Sequence, residues 1–219
     1  MDSLLACFYV IGYTGCFCIL DQLIYRFEGR YYAIHALHNA AIVWTTAPDV
    51  YTTLTNFQQV QHEPNNMFAV QICFALHFYH IIMYRNKLRF DDWLHHGLMV
   101  GVALPLTEIV PPSAILGHSM FFINGLPGMI DYSLLFLVRN NYIEKQTEKR
   151  VNRLLNIWVR CPGCVMTTGF ILMNITNAMS IQQKIASFAM AGCVYWNGIY
   201  FMDQVVRDYA VNAQSHSLN

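Results

Sequence analysis

Six histidines of this chain come in three close pairs, and the spacing of each pair suits chemistry at a shared site. The pairs are His35 and His38, His77 and His80, and His95 and His96. Side chains three residues apart lie on the same face of a helix. Imidazole exchanges protons near neutral pH and both donates and accepts hydrogen bonds. The pattern predicts helices that direct paired imidazoles at one site, for proton transfer, for binding a polar group or for ligating a metal.

Two acidic residues stand directly before the third pair. Asp91 precedes His95 by four residues, so on a helix its carboxylate lies one turn from the ring. A carboxylate in that position orients the imidazole tautomer and supports a developing imidazolium. The candidates for catalysis are therefore His95, His96, Asp91, Asp92, His77 and His80.

The histidine spacing does not match that of the membrane metalloenzymes that use several histidines as metal ligands. A membrane di-iron oxidase carries an H-x(3,4)-H box and two H-x(2,3)-H-H boxes, and neither kind of box occurs in the chain. A seven-helix zinc hydrolase would need a histidine ligand from the last apolar run, 185–202, which has none. We therefore expect no metal and no resident cofactor.

The composition indicates that these residues lie in a membrane protein. Of the 219 residues, 55% are hydrophobic and only 12% are charged, whereas soluble domains carry about 25% charged residues. Thirteen basic residues balance thirteen acidic ones, and the mean hydropathy is +0.32. The balance leaves no basic surface for nucleic acid, so no nucleic-acid partner is expected.

Seven runs are long enough to cross a bilayer, which takes about 20 apolar residues. They cover residues 3–25, 31–48, 67–84, 93–110, 113–138, 154–176 and 185–202. The second and fourth are the least apolar, so six spans and one interfacial helix remain an alternative. The first run lacks a basic leader and a cleavage site, and we interpret it as a retained helix. The sequence predicts an all-α, polytopic bundle of about seven transmembrane helices.

The basic residues give an independent prediction of topology, because short cytoplasmic loops are enriched in Lys and Arg. Eleven of the thirteen fall in the loops after spans one, three and five or behind span seven. Lys184 alone falls in a loop on the other side, and Arg160 lies inside span six. The N-terminus is therefore expected outside and the C-terminus inside.

Most ionisable residues inside the spans lie at one depth, roughly 3 to 11 Å from the basic boundary. Besides the six paired histidines they are Asp21, Asp131 and Arg160. Buried ionisable groups usually face a bundle interior and pair with one another. We expect a polar layer that holds a lipid headgroup through His35, His38, Asp21, Asp131 and Arg160, with Arg160 paired to Asp131 or Asp21. Snorkelling to the headgroups is the alternative for His95.

Segment 89–96 reads Arg-Phe-Asp-Asp-Trp-Leu-His-His and resembles the hallmark of the TLC-domain membrane proteins, whose best-known members are the ceramide synthases. The resemblance covers residues 29–207 and includes an aromatic, polar second helix and a proline break at 124–128. It implies a helical bundle around a lipid-sized cavity in endomembranes. In a synthase-like reaction, a histidine would take the proton of a lipid amine as the amine attacks an acyl thioester, with acyl-CoA as co-substrate.

Three functions stay open at this point. The first is lipid binding or sensing without catalysis, and the second is lipid acyl transfer by a ceramide synthase-like N-acyltransferase. The third is a structural subunit of a larger membrane complex, with membrane-protein partners in addition to lipids. The resemblance favours the endoplasmic reticulum, and the subunit role would also fit the mitochondrial inner membrane. The expected parts are an N-terminal transmembrane helix at 1–28, a TLC-like domain at 29–207 and a C-terminal tail at 208–219.

Two further segments are interpreted as structural. Cys161 and Cys164 form a C-P-G-C spacing, but no βα pattern surrounds them, so a redox role is not expected. The charged segment 144–150 has the alternating charges of a solvated helix. For the segment 124–128 two interpretations stand, a proline kink and an opening that exposes backbone carbonyls to the cavity.

Overall fold

The computed structural model of the chain describes residues 3–217, without the side chains of residues 3, 91 and 214–217. Within that range the chain forms helices, turns and loops and contains no strand, so the predicted all-α class is confirmed. We number the continuous helices α1 Ser3–Leu23, α2 Arg30–Thr55, α3 Met67–Tyr84, α4 90–106, α5 Ile115–Arg139, α6 Lys145–Met173 and α7 Ile181–Ser217. Short 3-10 turns lie at Val60–His62 and Arg85–Lys87.

Five of these helices are long and apolar enough to cross a membrane, namely α1, α3, α5, α6 and α7. The chain is therefore an integral membrane protein. The two that do not meet that standard, α2 and α4, correspond to the two least apolar predicted spans. Helix α2 has 26 residues but carries two histidines and an asparagine on its buried face, and α4 is shorter than the roughly 20 residues of a full span.

Several helices extend further than the apolar runs predicted. Helix α2 continues through Pro48 to Thr55, and α6 begins at Lys145 within the charged segment. Helix α7 runs to Ser217, so the described part of the expected tail is helical. Charged and polar residues thus continue the helices beyond their apolar cores, because helix formation does not require apolar side chains.

Helix neighbours follow a simple order. Helix α3 packs between α1 and α2, and α2 packs along nearly the whole length of α5. Helix α6 lies between α5 and α7. Helix α4 makes only isolated contacts with the other helices of the described chain, mainly through its histidines to α3 and through Leu104 to the core.

Contacts between loops identify one end of the bundle, which we call the basic end. Asn140, just after α5, donates from Nδ2 to the carbonyl of Glu28 at 2.8 Å. Arg139 pairs with the Glu28 carboxylate at 3.8 Å. Lys149 near the start of α6 pairs with Asp208 near the end of α7 at 2.6 Å. The loops predicted to share the basic side therefore meet in space.

The remaining loops meet at the opposite end, which we call the far end. Asn65, before α3, donates from Nδ2 to the carbonyl of Thr107 at 3.3 Å, and its Oδ1 accepts from the Ser113 amide at 3.1 Å. The Ala114 amide donates to the carbonyl of Val60 at 3.2 Å. The connections α2–α3 and α4–α5 are thus joined directly.

Three helices contain a π-helical segment, and each segment ends two residues before a proline. The segments are Met99–Ala103, Phe121–Gly125 and Asn156–Arg160, followed by Pro105, Pro127 and Pro162. A proline within a helix has no amide hydrogen to donate, and its ring crowds the carbonyl four residues earlier. A widened turn relieves that crowding without ending the helix. The segment 124–128 therefore widens α5 instead of breaking it.

Close approach of α2 and α5 depends on two glycines. A methyl group at Gly117 would overlap the Asp49 carboxylate, and one at Gly128 would overlap the Asn39 amide. A larger residue at either position would push the helices apart or displace the Asp49 or Asn39 side chain. These contacts hold α2, which carries the first histidine pair, against α5.

Candidate functional site

The three predicted histidine pairs come together near the basic end. The ring centroids of His35 and His80 are 4.3 Å apart, and those of His80 and His96 are 5.1 Å apart. His77 lies 5.1 Å from His96 and 5.4 Å from His95. We call His35, His77, His80, His95 and His96 the histidine cluster. Helices α2, α3 and α4 each contribute to it, so five of the six paired histidines lie together.

His38, the second histidine of α2, lies one turn farther from the basic end. Its Nδ1 is 2.9 Å from the side-chain oxygen of Asn39, and its Nε2 is buried without a partner in the described chain. The ring packs edge-on against Phe17 of α1 at 6.0 Å. His38 therefore packs against α1 and makes no ring contact with the cluster in the described structure.

Backbone hydrogen bonds fix the orientation of two cluster rings. Nδ1 of His35 lies 2.6 Å from the Tyr31 carbonyl, and Nδ1 of His77 lies 2.7 Å from the Cys73 carbonyl. A carbonyl only accepts, so each Nδ1 carries the hydrogen and donates it. In a neutral imidazole the other nitrogen, Nε2, is then an acceptor. Both rings therefore offer a lone pair to a donor.

The cluster contains polar atoms that nothing in the described chain satisfies. Both ring nitrogens of His80 and Nδ1 of His96 are buried without a hydrogen-bond partner. The two side chains are 5% and 4% exposed. A buried polar group without a partner costs about 1 to 3 kcal/mol. The cluster thus has unused capacity for hydrogen bonds with a bound polar group.

Two tyrosines line the cluster on the side of α2 and α5. The Tyr31 ring stacks on His80 at 4.7 Å with 17° between the planes. The Tyr132 ring lies 4.4 Å from His35 and 6.4 Å from Tyr31. Stacked and edge-on rings hold the imidazoles in place through apolar contact. Neither tyrosine stood out in the sequence, since each is one of thirteen and neither forms part of a spaced motif.

Asp21 has a different role from the one predicted. Its carboxylate is fully buried and accepts hydrogen bonds from the hydroxyls of Tyr79 and Tyr84 at 2.8 and 2.7 Å. Arg30 pairs with it at 3.6 Å. The expected pairing of Asp21 with Arg160 is therefore wrong. Asp21 instead joins α1, α2 and α3, and its acceptor atoms are already occupied.

Arg160 lies in the bundle with an amide partner and an aromatic neighbour. Its Nη2 donates to the side-chain oxygen of Asn197 at 3.1 Å, and its guanidinium carbon lies 4.2 Å from the centre of the Phe201 ring. The described chain shows no ion pair of Arg160 within 4 Å, so its predicted pairing with Asp131 is also wrong. The two groups are neighbours only. Arg160 is the last residue of the π-helical turn that precedes Pro162.

A second polar group lies beside the cluster, between α5, α6 and α7. The Glu148 side chain is 1% exposed and pairs with Lys149 at 3.4 Å. Asp131 of α5 lies near Glu148, and one carboxylate oxygen of each residue is buried without a hydrogen-bond partner in the described chain. The interpretation of 144–150 as a uniformly solvated helix is therefore wrong for Glu148. The burial of Glu148 could have been suspected from the sequence. Glu148, Asn152 and Asn156 are spaced four residues apart and so lie on one helix face, and all three are buried.

The acidic residues before His95 are only partly described. The Asp91 side chain lies outside the described residues, so its predicted contact with His95 stays a prediction. The Asp92 carboxylate accepts from the Arg89 amide at 2.8 Å and lies 3.7 Å from the Arg89 guanidinium. Asp92 therefore caps the start of α4. His95 itself is exposed, whereas His96 is buried.

Three other polar features lie away from the cluster. His118 is fully buried and its Nδ1 is 2.7 Å from the Thr167 hydroxyl, which joins α5 to α6. Glu108 is exposed near the far end. Cys161 and Cys164 are both buried free thiols within α6. Among the described residues, no three His, Cys, Asp or Glu side chains are arranged to hold a metal ion.

Comparison of the chain with protein-family models, curated proteins and solved structures found no match. The geometry of the histidine cluster is therefore the main guide to what the protein does.

Proposed function

We propose that the chain crosses the membrane seven times, with its N-terminus outside and its C-terminus on the basic side. Support comes from the alternation of loop contacts between the two ends, and from eleven basic residues in the loops and tail assigned to one side. Helix α2 is less apolar because its buried face carries two histidines and an asparagine, and α4 is shorter than a full span. Six spans with α4 at the interface is the competing topology.

A labelling experiment separates the two topologies. Single cysteines introduced beside Lys145 and beside Asn65, in a chain whose seven native cysteines are replaced, should react with a membrane-impermeant maleimide from opposite sides. A cysteine beside Arg85 should react from the Lys145 side. Reaction of the Asn65 and Lys145 sites from the same side would exclude the seven-span arrangement.

We further propose that the histidine cluster binds the polar headgroup of a membrane lipid, whose acyl chains lie along the apolar helix surfaces. The observation that carries this proposal is the convergence of imidazoles with unused ring nitrogens near the basic end. His35 and His77 offer acceptors, and His80 offers both a donor and an acceptor. A headgroup with hydroxyl, amide or amine groups would satisfy all of them. The resemblance of segment 89–96 to TLC-domain proteins also favours a lipid ligand.

Binding without catalysis is the function that we favour over acyl transfer. The Oδ2 atom of Asp92 is engaged with Arg89 at the start of α4. Asp91 is the remaining acid for that role. In the acyl-transfer alternative, His95 or His96 takes the proton of a lipid amine while the amine attacks an acyl-CoA thioester, and CoA leaves. We place the protein in the endoplasmic reticulum under either function.

A subunit of a larger membrane complex, for which the mitochondrial inner membrane is the alternative location, is the second candidate function. The observation in its favour is the apolar exterior of α1, which packs on α3 and leaves Leu4, Phe8, Ile11 and Ile19 exposed. Co-purification of stoichiometric protein partners, with no retained lipid, would favour this role.

Lipid retention tests the proposed function. The protein purified in mild detergent should carry a defined lipid by native mass spectrometry, and the double variant His95→Ala/His96→Ala should lose it. His62→Ala is the matched control, because His62 is an exposed histidine outside the cluster. In cells that lack the protein, wild type and the control should restore the lipid profile. Full rescue by the double variant would exclude both a headgroup and a catalytic role for this pair.

A further inference from the structure

Two opposite charges beside the histidine cluster, Arg160 of α6 and Asp131 of α5, have no ion pair within 4 Å in the described chain. Nη2 of Arg160 donates to the Asn197 side chain at 3.1 Å, but its Nε is buried without a partner. Oδ1 of Asp131 is also buried without a hydrogen-bond partner. Charged groups inside a membrane protein usually pair with each other or belong to a binding site. Both groups are therefore candidates for binding the charges of a ligand.

Contacts with other groups keep these two charges apart, although they are neighbours. The Arg160 guanidinium is held against α7 by its amide partner and by the Phe201 ring, 4.2 Å from the guanidinium carbon. Asp131 lies near Glu148, and the cation that pairs with Glu148 at 3.4 Å is Lys149. Arg160 and Asp131 therefore remain a separated positive and negative charge.

The two charges and the histidine cluster border the same region. Arg160 lies near Tyr132, which directly follows Asp131 in α5. The Tyr132 ring in turn lies 4.4 Å from the His35 ring. The cluster adds the Nε2 lone pairs of His35 and His77, whose Nδ1 atoms donate to backbone carbonyls. The region thus combines one cation, one anion and several neutral acceptors.

The side of this region between α4 and α5 is open. Helix α4 makes only isolated contacts with the other helices of the described chain, and His95 on it is exposed. Helix α5 packs on both α2 and α6, yet every residue of 128–138 is partly exposed and none is buried. A packed helix normally buries one face, so this stretch of α5 borders space that the described chain does not fill. Arg160 is itself partly exposed, so a headgroup beside α5 can reach it.

We propose that the headgroup bound here joins a phosphodiester to a primary ammonium group, as in phosphatidylethanolamine, an inference that rests on the proposed headgroup-binding function. Arg160 donates to the phosphate oxygens, which the planar guanidinium group fits well. The ammonium group donates to Oδ1 of Asp131 and to imidazole acceptors such as Nε2 of His35. A choline headgroup carries the same charges but no N–H donor, so it would leave these acceptors unpaired.

A lipid series tests the proposal on the wild-type chain. In phosphatidylcholine nanodiscs that contain a minor share of phosphatidylethanolamine, native mass spectrometry should show the ethanolamine lipid retained on the protein. Its N-methyl and N,N-dimethyl forms should be retained progressively less, because each methyl group removes an N–H donor. Phosphatidylglycerol, which has the phosphodiester but no ammonium group, should be retained about tenfold less. Soluble glycerophosphoethanolamine should not displace the lipid, and displacement at equal concentration would assign the site to a soluble phosphate ester.

Two charge variants test the residues. Arg160→Gln and Asp131→Asn should each weaken retention of phosphatidylethanolamine about tenfold, the expected effect of losing a charge-assisted hydrogen bond. Arg207→Gln is the matched control and should retain the lipid fully, because Arg207 is an exposed cation paired with Asp203 at 2.9 Å.

Failure of this proposal and failure of the proposed function give different results. Retention of phosphatidylcholine or phosphatidylglycerol as strongly as phosphatidylethanolamine would overturn the zwitterionic, primary-amine ligand. So would equal retention by the wild type and both charge variants. If that retained lipid were still lost in His80→Phe, the histidine cluster would remain a headgroup site. Retention of no lipid by the wild-type chain would overturn both proposals.

Discussion

The imidazole rings of His35 and His80 stack with their centroids 4.3 Å apart and 24° between their planes. His35 is fixed by the Tyr31 carbonyl, whereas neither nitrogen of His80 has a partner in the described chain. The stack therefore contributes ring contact to the fold and leaves the His80 nitrogens free. A substitution of His80 can therefore keep the ring contacts and remove the two nitrogens, which tests the hydrogen-bonding role of the residue separately from its packing.

Replacement of His80 should affect ligand binding more than folding. His80→Phe keeps the stack on His35 and Tyr31 and removes two buried nitrogens that bond to nothing, so the unfolding free energy should change by less than about 1 kcal/mol. Lipid retained through the cluster should be lost. Thermal unfolding in detergent and native mass spectrometry measure the two effects. Loss of stability with full lipid retention would show that His80 has a structural role only.

Asp21 should be one of the polar residues most important for stability. Asp21→Ala leaves the Tyr79 and Tyr84 hydroxyls and the Arg30 guanidinium without their shared acceptor, and breaking such a buried group costs about 3 to 5 kcal/mol. Asp21→Asn keeps one acceptor oxygen and should cost less. Asp203→Ala, which removes an exposed ion pair with Arg207, should cost no more than about 1 kcal/mol. Similar losses for Asp21→Ala and Asp203→Ala in denaturation curves would contradict the assignment.

The close approach of α2 and α5 should depend on Gly128. In Gly128→Ala the new methyl group meets the Asn39 amide, so the helices must separate or the amide must move, at a cost of about 1 to 3 kcal/mol. Gly169→Ala places its methyl group in open space and is the matched control. The control should be neutral or slightly stabilising, because alanine favours helix over glycine. Unfolding midpoints of the two variants compare them directly.

The partner of Arg160 can be established by a double-mutant cycle. Arg160→Leu and Asn197→Ala should show a coupling energy of about 1 kcal/mol, since one hydrogen bond joins their side chains at 3.1 Å. Arg160→Leu and Asp21→Asn should be additive within about 0.5 kcal/mol, because the two residues share no partner. Coupling to Asp21 and none to Asn197 would restore the pairing that the sequence suggested.

The fold class and the convergence of the histidines were predictable from the sequence alone. Apolar runs identify helices, and histidines at one distance from the basic loops lie at one depth once the helices are aligned across a membrane. The contact of Tyr31 and Tyr132 with the histidine cluster was not predictable. The two side chains come from α2 and α5, and their positions depend on how each helix is rotated about its axis. For the burial of Glu148, the sequence offered only one indication, the spacing of four residues between Glu148, Asn152 and Asn156.

The sequence by itself determined the helical class and the order of the helices, and it predicts one depth for their polar residues, since these follow from composition along a single helix axis. The tertiary structure decided which polar groups are satisfied and which are free. Asp21 pairs with Arg30 and accepts from two tyrosines, Arg160 donates to Asn197, and neither ring nitrogen of His80 has a hydrogen-bond partner in the described chain. The physical reason is that the rotation of each helix about its axis, which packing against the neighbouring helices sets, decides which groups its side chains can reach. A charged side chain can pair only with groups on the neighbouring helix that its own helix face contacts.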